Sequence, residues 1–527
     1  MSVVIIDALS AGSGTRGSSR DTIGCGPRSI AGILEKYDRV CRIRRVEEII
    51  DRPRLLRDYI HCAISGMSMD VPVIKRFIDM WKHFRPNGRI LLGGPIATDW
   101  QNILQECRPD VLIVGEGEET LAELLERGIF DGEVDLAGID GIAYLRNDTP
   151  VYNGSRAFAE EDVLWKKHPP STVRITDYRA YQASRVYVEV VRGCSNFNRT
   201  KMALPDGREC SECGNCESSD SLVRQHCPEN IPPGCGFCSV PSVWGPPRSR
   251  PKESIVRETR DLVDLGVHRI VLEAPDFLDY SRGIYPLTTP CIPPANIDAI
   301  SGLLRELTRI PEIADGQCHV SIENVKACLF TEEVAGTISE ILTSVSPNIG
   351  IETGSFEHAE RIGKCGSPEG VLQAVRTAAK YDMRPYVYFI YGLPGENEET
   401  VRESEHMMRG LSEAGAERII LYGFRALPGS AFEDFTSASE RDPLGRRLGR
   451  VAKNINRQKK DKYVGNLVWG IAAEPSYDHF GYTMVYPLRE GPLMTVEGGY
   501  SPGTRVQVRI EEVVSPGLVK GVVVSQG

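Results

Sequence analysis

The sequence has no run of about 18 apolar residues, and no basic segment followed by an apolar one near its start. A membrane span needs the first and a secretion signal the second, so the expectation is a cytoplasmic protein without a membrane partner. Low-complexity tracts and repeats of fixed period are missing as well. So is any excess of positive charge, because 62 Lys and Arg face 72 Asp and Glu for a net charge of −10. That balance argues against a general nucleic-acid coat protein, since phosphate binding needs concentrated basic surface. The local exception is the stretch from Arg441 to Lys462, where the acidic residues are only Asp442 and Asp461. A run of this kind is ordinarily a solvated helix face.

Cysteine, by contrast, is plentiful, with 15 residues. In a long chain without secretion signals this points to metal ligation or redox chemistry rather than a disulfide framework. Seven of them, Cys194, Cys210, Cys213, Cys216, Cys227, Cys235 and Cys238, crowd into one short region, and the scattered remainder are expected to act as small buried hydrophobes.

A chain of 527 residues is too long for one core. Residues 1–150 alternate strand and helix patterns, with strands expected at Val3–Leu9, Tyr59–Ser65, Arg89–Gly93 and Val111–Gly115. This is an α/β pattern of the doubly wound type, which places a ligand at the carboxyl ends of its strands. Residues 151–181 read as a linker. A second βα series over residues 182–435 begins at Arg185–Arg192 and continues at His268–Leu272, His319–Ile322, Asn348–Glu352, Arg384–Gly392 and Arg418–Gly423. Six strands suit a partial (β/α)6 barrel with its chemistry at their carboxyl ends. After a basic helical linker at 436–462, residues 463–527 carry short Val/Ile/Tyr strands broken by Gly and Pro, the pattern of a small β-barrel.

Three thiolates can hold a [4Fe-4S] cube with one iron open to chelate S-adenosylmethionine (SAM). Val191-Arg-Gly-Cys194 and Cys235-Gly-Phe-Cys238 resemble the two halves of the cysteine loop of the radical SAM superfamily. Here 40 residues separate the first two cysteines, where the family normally has three, so Cys227 is a rival first ligand. The resemblance extends along the barrel. It implies that Glu273 and Asp276 after the second strand meet the SAM amine, that Gly350–Ser355 with Glu352 meets its ribose and carboxylate, and that the turn from Gly392 to Gly395 lets backbone approach the adenosyl group. Ala426-Leu-Pro-Gly-Ser430 matches the loop after the sixth strand.

Within the insertion at 195–234, Cys210 and Cys213 form a knuckle that Cys216 and Cys227 could complete. A closed four-thiolate shell would be structural zinc or mononuclear iron, and the same spacing also suits an auxiliary [4Fe-4S] cluster.

In the first domain three turns follow strand patterns: Ser65-Gly66-Met67, Gly93-Gly94-Pro95 and Gly115-Glu116-Gly117-Glu118. They resemble the cobalamin-binding domain that precedes many radical SAM barrels. There is no Asp-x-His-x-x-Gly, and the only histidines of that domain are His61 and His83. The resemblance therefore implies cobalamin with no histidine on cobalt. Tyr463–Asn466, Gly481–Met484 and Gly503–Val524 resemble a TRAM domain, which makes tRNA-modifying methylthiotransferases a rival. Their amino-terminal domain uses three cysteines for a second cluster, a pattern that Cys25, Cys41, Cys62 and Cys107 do not offer clearly. The expected activity is methylation of an unactivated carbon of a protein or peptide in an anaerobic cell. A reductant such as ferredoxin or flavodoxin would be needed, and the C-terminal barrel is expected to position the substrate. A sensor that binds cobalamin or a cluster without turnover is the reading from another class, and an intact SAM-binding set weighs against it.

Overall fold

The computed structural model describes residues 2–17, 19–160, 163–476 and 479–527. Glu161 and Asp162 of the expected linker and Tyr477 and Asp478 of the C-terminal barrel lie outside them. The chain forms two compact units. One is Met1–Tyr181 with Val186–Val188 and Arg250–Gly266, and the other holds the remaining residues.

The first unit is built on a seven-stranded sheet of β1 (Ser2–Asp7), β2 (Val40–Arg45), β3 (His61–Ser65), β4 (Ile90–Gly93), β5 (Val111–Ile113), β6 (Ile142–Arg146) and β7 (Thr149–Tyr152). Its order is β2-β1-β3-β4-β5-β6-β7. The first five are parallel, and β6 and β7 add an antiparallel edge. The parallel strands are fully apolar at their centres because helices cover both faces, as in Gly26–Lys36 and Val71–Phe84, where Ile33, Leu34, Phe77 and Trp81 are buried. Strand β2 escapes the apolar pattern. Arg42, Arg44 and Arg45 interrupt Cys41 and Ile43, and an edge strand tolerates this because only its inner residues need burial. The three glycine turns thus follow the third, fourth and fifth strands rather than the second to fourth. Residues 151–181, expected as a linker, belong to this unit: Tyr178 Oη donates to Asp7 and the Ile43 N–H to Asp177.

Arg28 and Arg250 share the carboxylate of Glu258, all three buried in this unit. Removing the shared acid would leave two guanidinium groups without their counter-charge in a dry interior. Glu258→Ala is expected to destabilise the unit by about 3–5 kcal/mol, read as a lower midpoint in chemical denaturation of the full chain. A change under about 1 kcal/mol would show that water or other carbonyls serve the arginines equally well.

The second unit carries the later strands of the barrel. Strands β9 (Arg269–Glu273) and β10 (His319–Ile322) pair in parallel, as do β11 (Asn348–Glu352), β12 (Tyr386–Tyr391) and β13 (Arg418–Gly423), after β8 (Arg185–Glu189). An Asn324–Asn348 bridge joins the two groups, and the Val190 N–H donates to the Glu273 carbonyl. The open edge at β13 is covered by the helix Pro443–Asp461, whose Asn456 side chain bonds both backbone groups of Ile419 at 2.9 and 2.7 Å. This is the basic stretch. Arg447 bridges Glu398 and Glu405, Lys460 is buried and pushed down to about 8 by that burial, and Arg446, Arg450, Lys453 and Arg457 are exposed.

The chain ends in a closed five-stranded barrel of β14 (Leu467–Pro475), β15 (Tyr482–Pro487), β16 (Leu493–Glu497), β17 (Arg505–Ser515) and β18 (Leu518–Gln526). Its contacts with the (β/α) strands fall at their amino ends. Arg269, which opens β9, lies over the Tyr486 ring, and Tyr386, which opens β12, donates to Glu490 at 3.2 Å. Just before β10, the Gln317 carbonyl accepts from Arg505. The barrel therefore sits at the end opposite to the carboxyl-end turns. Among the described residues no helix is long and apolar enough to cross a membrane.

Candidate functional site

Strand β8 runs into Gly193, which adopts φ +91 with the Gly245 and Pro246 carbonyls about where a Cβ would sit, at 2.6 and 2.5 Å. Only glycine fits that packing, and it turns the chain so that the Cys194 N–H donates to the Gly245 carbonyl. The second half of the loop is stitched to the first: Gly234 N–H donates to the Asn198 carbonyl, and Asn196 Nδ2 lies 3.2 Å from Cys235 Sγ while its backbone N–H reaches Cys194 Sγ at 3.5 Å. Cys194, Cys235 and Cys238 thus share one site despite the 40 residues between the first two. Cys227, with Cys210, packs against the apolar cluster of Met202, Leu204 and Phe432.

Burial pushes the Cys194 thiol up to about 12, with Lys326 pulling the other way. Burial likewise raises Cys235 and Cys238, opposed by Lys364. Three soft donors beside two lysines suit an anionic iron-sulfur cube. Among the described residues no three His, Cys, Asp or Glu side chains converge closely enough to hold a single metal ion. This applies to the insertion too, where Cys213 is exposed and Cys216 Sγ accepts from Arg199, so no four-thiolate shell is assembled there.

The turns expected to meet SAM all leave carboxyl ends of strands. Glu352 ends β11 at φ +66, a conformation that costs a non-glycine residue of order 1–3 kcal/mol, and its Oε1 accepts from Lys364 Nζ at 2.8 Å. A Cβ on Gly350 would lie 2.3 Å from that oxygen, so glycine makes room for the bent-back carboxylate. Burial alone would lower the Lys364 ammonium, but Glu352 and the neighbouring thiols of Cys235 and Cys365 hold it above the ordinary lysine value. Gly392 and Gly395 take φ +72 and +84, and His358 bridges Thr353 to the Pro394 carbonyl. Asp276 Oδ1 accepts from the backbone N–H groups of Leu278 and Lys326 and its Oδ2 from Lys326 Nζ, while Glu273 ends β9.

Sequence reasoning missed Ser195, Asn196, Asp279, Arg282, Lys326, Lys364 and Cys365. Lys364-Cys365 lies just past the helix Phe356–Arg361, and no spacing rule ties Cys365 to Cys235, 130 residues earlier in the chain. Two scattered cysteines also depart from the expected buried-hydrophobe role, since Cys291 and Cys328 form a disulfide.

Glu396 closes the Gly392–Gly395 turn by accepting the Gly392 N–H at 2.9 Å, and burial pushes its carboxyl up to about 7, with Asp442 adding to the rise. An acid with a raised folded pKa binds more protons than the unfolded chain between about 4.5 and 7, so this group's contribution falls as pH rises through that window. Glu396→Gln keeps an acceptor for Gly392 without the charge. It is expected to match the parent's thermal midpoint near pH 5 and exceed it by a few degrees at pH 8; equal midpoints at both would place the carboxylate in water.

In the first unit the three turns lie side by side at the carboxyl ends of β3, β4 and β5. Gly66 N–H donates to the Gly93 carbonyl, Ile96 N–H to the Gly66 carbonyl, and Gly94 at φ +95 brings its Cα so close that a Cβ would meet the Gly66 oxygen at 2.7 Å. Asp70 fixes the first turn by accepting the N–H groups of Met67 and Gly12. Ser65, Met67, Gly93 and Pro95 line these turns, and Glu116, Gly117 and Glu118 open the helix Glu118–Glu126, with Glu116 accepting the Ala159 N–H. His61 opens β3 at the far end of the sheet, and His83 is exposed on the helix Val71–Phe84, so neither is placed at the turns.

The radical SAM superfamily model matches residues 225–408. Two archaeal proteins are similar along nearly their whole length: uncharacterized protein MK0932 of Methanopyrus kandleri, 38% identical over 99% of this chain and 96% of its own, and uncharacterized protein MJ1620 of Methanocaldococcus jannaschii, 39% identical over 95% and 94%. The ribosomal protein uS12 methylthiotransferase RimO of Heliobacterium modesticaldum is 23% identical over 54% of this chain and 52% of its own. Among solved structures, the radical SAM methyltransferase TsrM from Kitasatospora setae superposes with a TM-score of 0.58 at 16% identity, covering 82% of this chain and 75% of TsrM, which has been solved with cobalamin and a [4Fe-4S] cluster bound. The cobalamin-dependent SAM radical enzyme OxsB gives 0.55 at 14%, covering 77% and 51%. Residues 225–408 carry a radical SAM domain, and the chain belongs to one family with the two archaeal proteins. It shares its fold with TsrM and OxsB.

Proposed function

We propose that this chain is a cobalamin-dependent radical SAM methyltransferase that methylates an unactivated carbon of a protein. The observation that carries this reading is the meeting of Cys194 with Cys235 and Cys238 at the carboxyl end of a (β/α) barrel, in a chain that also has a flavodoxin-ordered sheet with three glycine turns. When bound, the cluster and SAM would supply a radical able to take hydrogen from carbon, and cobalamin would supply the methyl group. The chain's own part is placement. Cys194, Cys235 and Cys238 hold the cube, Glu273 takes the SAM amine, and Glu352, fixed by Lys364, faces the ribose and carboxylate. The turn from Gly392 to Gly395 admits the adenosyl group. Ser65-Gly66-Met67, Gly93-Gly94-Pro95 and Glu116-Gly117-Glu118 cradle the corrin, with no histidine for cobalt. Cys41, Cys62 and Cys107 are separately buried, which favours cobalamin over a second cluster in this unit.

A protein substrate is favoured by two considerations: the acidic chain disfavours RNA, and the RimO relatives act on a ribosomal protein. The three-part layout and stretched cysteine loop resemble the methanogen enzyme that methylates the Cα of a glutamine in methyl-coenzyme M reductase, and that residue is the first substrate to try. The reductant would be a ferredoxin or flavodoxin. The test is anaerobic transfer of label from methyl-labelled SAM to total cell protein and total RNA in parallel, with label expected in protein. Label found only in RNA overturns the protein reading in favour of a tRNA-modifying enzyme.

A further inference from the structure

In a contiguous cysteine loop the chain itself sets the distance between the first and second thiols. Here Ser195 to Gly234 intervene, and a loop of that length imposes almost no distance by itself. Contacts other than the chain path must hold Cys194 where Cys235 and Cys238 can share a ligand with it, and the Gly234–Asn198 and Asn196–Cys235 bonds supply only part of them.

The residue next to Cys194 is tied to a buried ionic cluster. Ser195 Oγ donates to the Asp279 carboxylate at 2.9 Å and accepts from Arg282 Nη2 and Lys326 Nζ, both at 2.8 Å, while its backbone N–H points at Asp279 Oδ2. Lys326 Nζ also reaches Asp279 Oδ2 at 2.7 Å and Asp276 Oδ2 at 2.8 Å, and Arg282 reaches Asp279 Oδ1 at 2.6 Å. The side chains of Asp276, Asp279 and Arg282 are 0% exposed, and that of Lys326 is 10% exposed. Two acids thus face two bases, with hydrogen bonds on the remaining polar atoms. Such a cluster adds little net stability over an apolar core of the same volume, but it fixes geometry closely. Its members come from three separate stretches: the cysteine loop, the turn after β9 and the turn after β10.

We infer that Asp279, Arg282, Lys326 and Asp276 form a clamp that positions Cys194 through Ser195, taking over the role of the chain connection that the insertion interrupts. They are positioning residues. The inference rests on the reading that Cys194, Cys235 and Cys238 hold the cube. It adds that the grip on Cys194 is made by side chains of two other strand ends.

Ser195→Ala cuts the strap and leaves the four charged residues paired, so the fold should survive. Outer partners of metal ligands typically carry 10- to 100-fold in affinity. The full-length variant, reconstituted anaerobically with iron and sulfide, is expected to lose cluster iron to a chelator about tenfold faster than the parent, to show the EPR signature of a three-iron cluster, and to shift in reduction potential. Its thermal midpoint should stay close to the parent's. Ser195→Thr, which keeps the hydroxyl, should restore iron retention, and Lys326→Met should weaken it as Ser195→Ala does. Parent-like iron loss, EPR and potential in both Ser195→Ala and Lys326→Met would overturn the clamp. If Cys194→Ala, made alongside, also keeps a full four-iron cluster, the ligand assignment itself fails and the clamp with it.

Discussion

Cys194→Ala, Cys235→Ala and Cys238→Ala are each expected to reduce 5′-deoxyadenosine formation to background, with Cys227→Ala keeping most of it. A cube held by three thiolates has its fourth iron aimed by all three, so loss of any one frees the cube to rotate or shed iron and leaves SAM without a chelating site. Cys227 is the informative control because sequence spacing left it as a rival to Cys194. It packs with Cys210 on an apolar cluster, whereas the Cys194 sulfur shares Asn196 with Cys235. Its removal should cost only a little packing, of order 1 kcal/mol for a small buried group. The measurement is product quantitation with chemically reduced, anaerobically reconstituted protein, alongside iron per chain. Full product from Cys194→Ala together with none from Cys227→Ala would reverse the assignment.

Gly94→Val should cut cobalamin bound per chain by at least about tenfold while iron content and 5′-deoxyadenosine formation persist. Valine meets two penalties at this position. Its backbone conformation, φ +95, is rarely open to a β-branched residue, and its Cβ would lie 2.7 Å from the Gly66 oxygen and 3.3 Å from the Gly66 nitrogen. Relief requires the β3 and β4 turns to part, which also disturbs the Gly66–Gly93 hydrogen bond. A tenfold loss needs only about 1.4 kcal/mol, less than the strain involved. Gly115→Ala is the comparison: its φ is +80 but nothing lies within 4 Å, so it pays conformational strain alone. Cobalamin retained at parental level by Gly94→Val would remove these turns from the corrin site.

The expected α/β architecture, the radical SAM barrel and the closed terminal barrel match the structure, because each rests on a periodic signal: apolar strands ending in glycine turns, or short strands broken by Gly and Pro. What escaped notice lacked such a signal. Strand β2 carries three arginines at an edge, where one buried side is sufficient. Ser195, Asp279, Arg282 and Lys326 look like ordinary polar loop residues until three turns bring them together, since no local pattern encodes a contact between positions 131 apart, as for Ser195 and Lys326. Asp276 was legible from its place after a strand, but its ion pair with Lys326, 50 residues on, was not. The cysteine spacing in the insertion suggested a metal knuckle, and it gave no sign that Cys210 and Cys227 pack, partly buried, on one apolar cluster.

The position of the terminal barrel at the amino ends of the strands has a consequence for reach. Strand β12 is six residues long, so the two ends of the (β/α) core lie roughly 20 Å apart. An extended polypeptide covers at most about 3.3–3.6 Å per residue. Any partner protein gripped by the terminal barrel must therefore pay out at least about six residues along a straight path, and more around the outside, before its target carbon arrives at the mouth. Shortening that spacer below the limit should leave docking intact and make modification impossible.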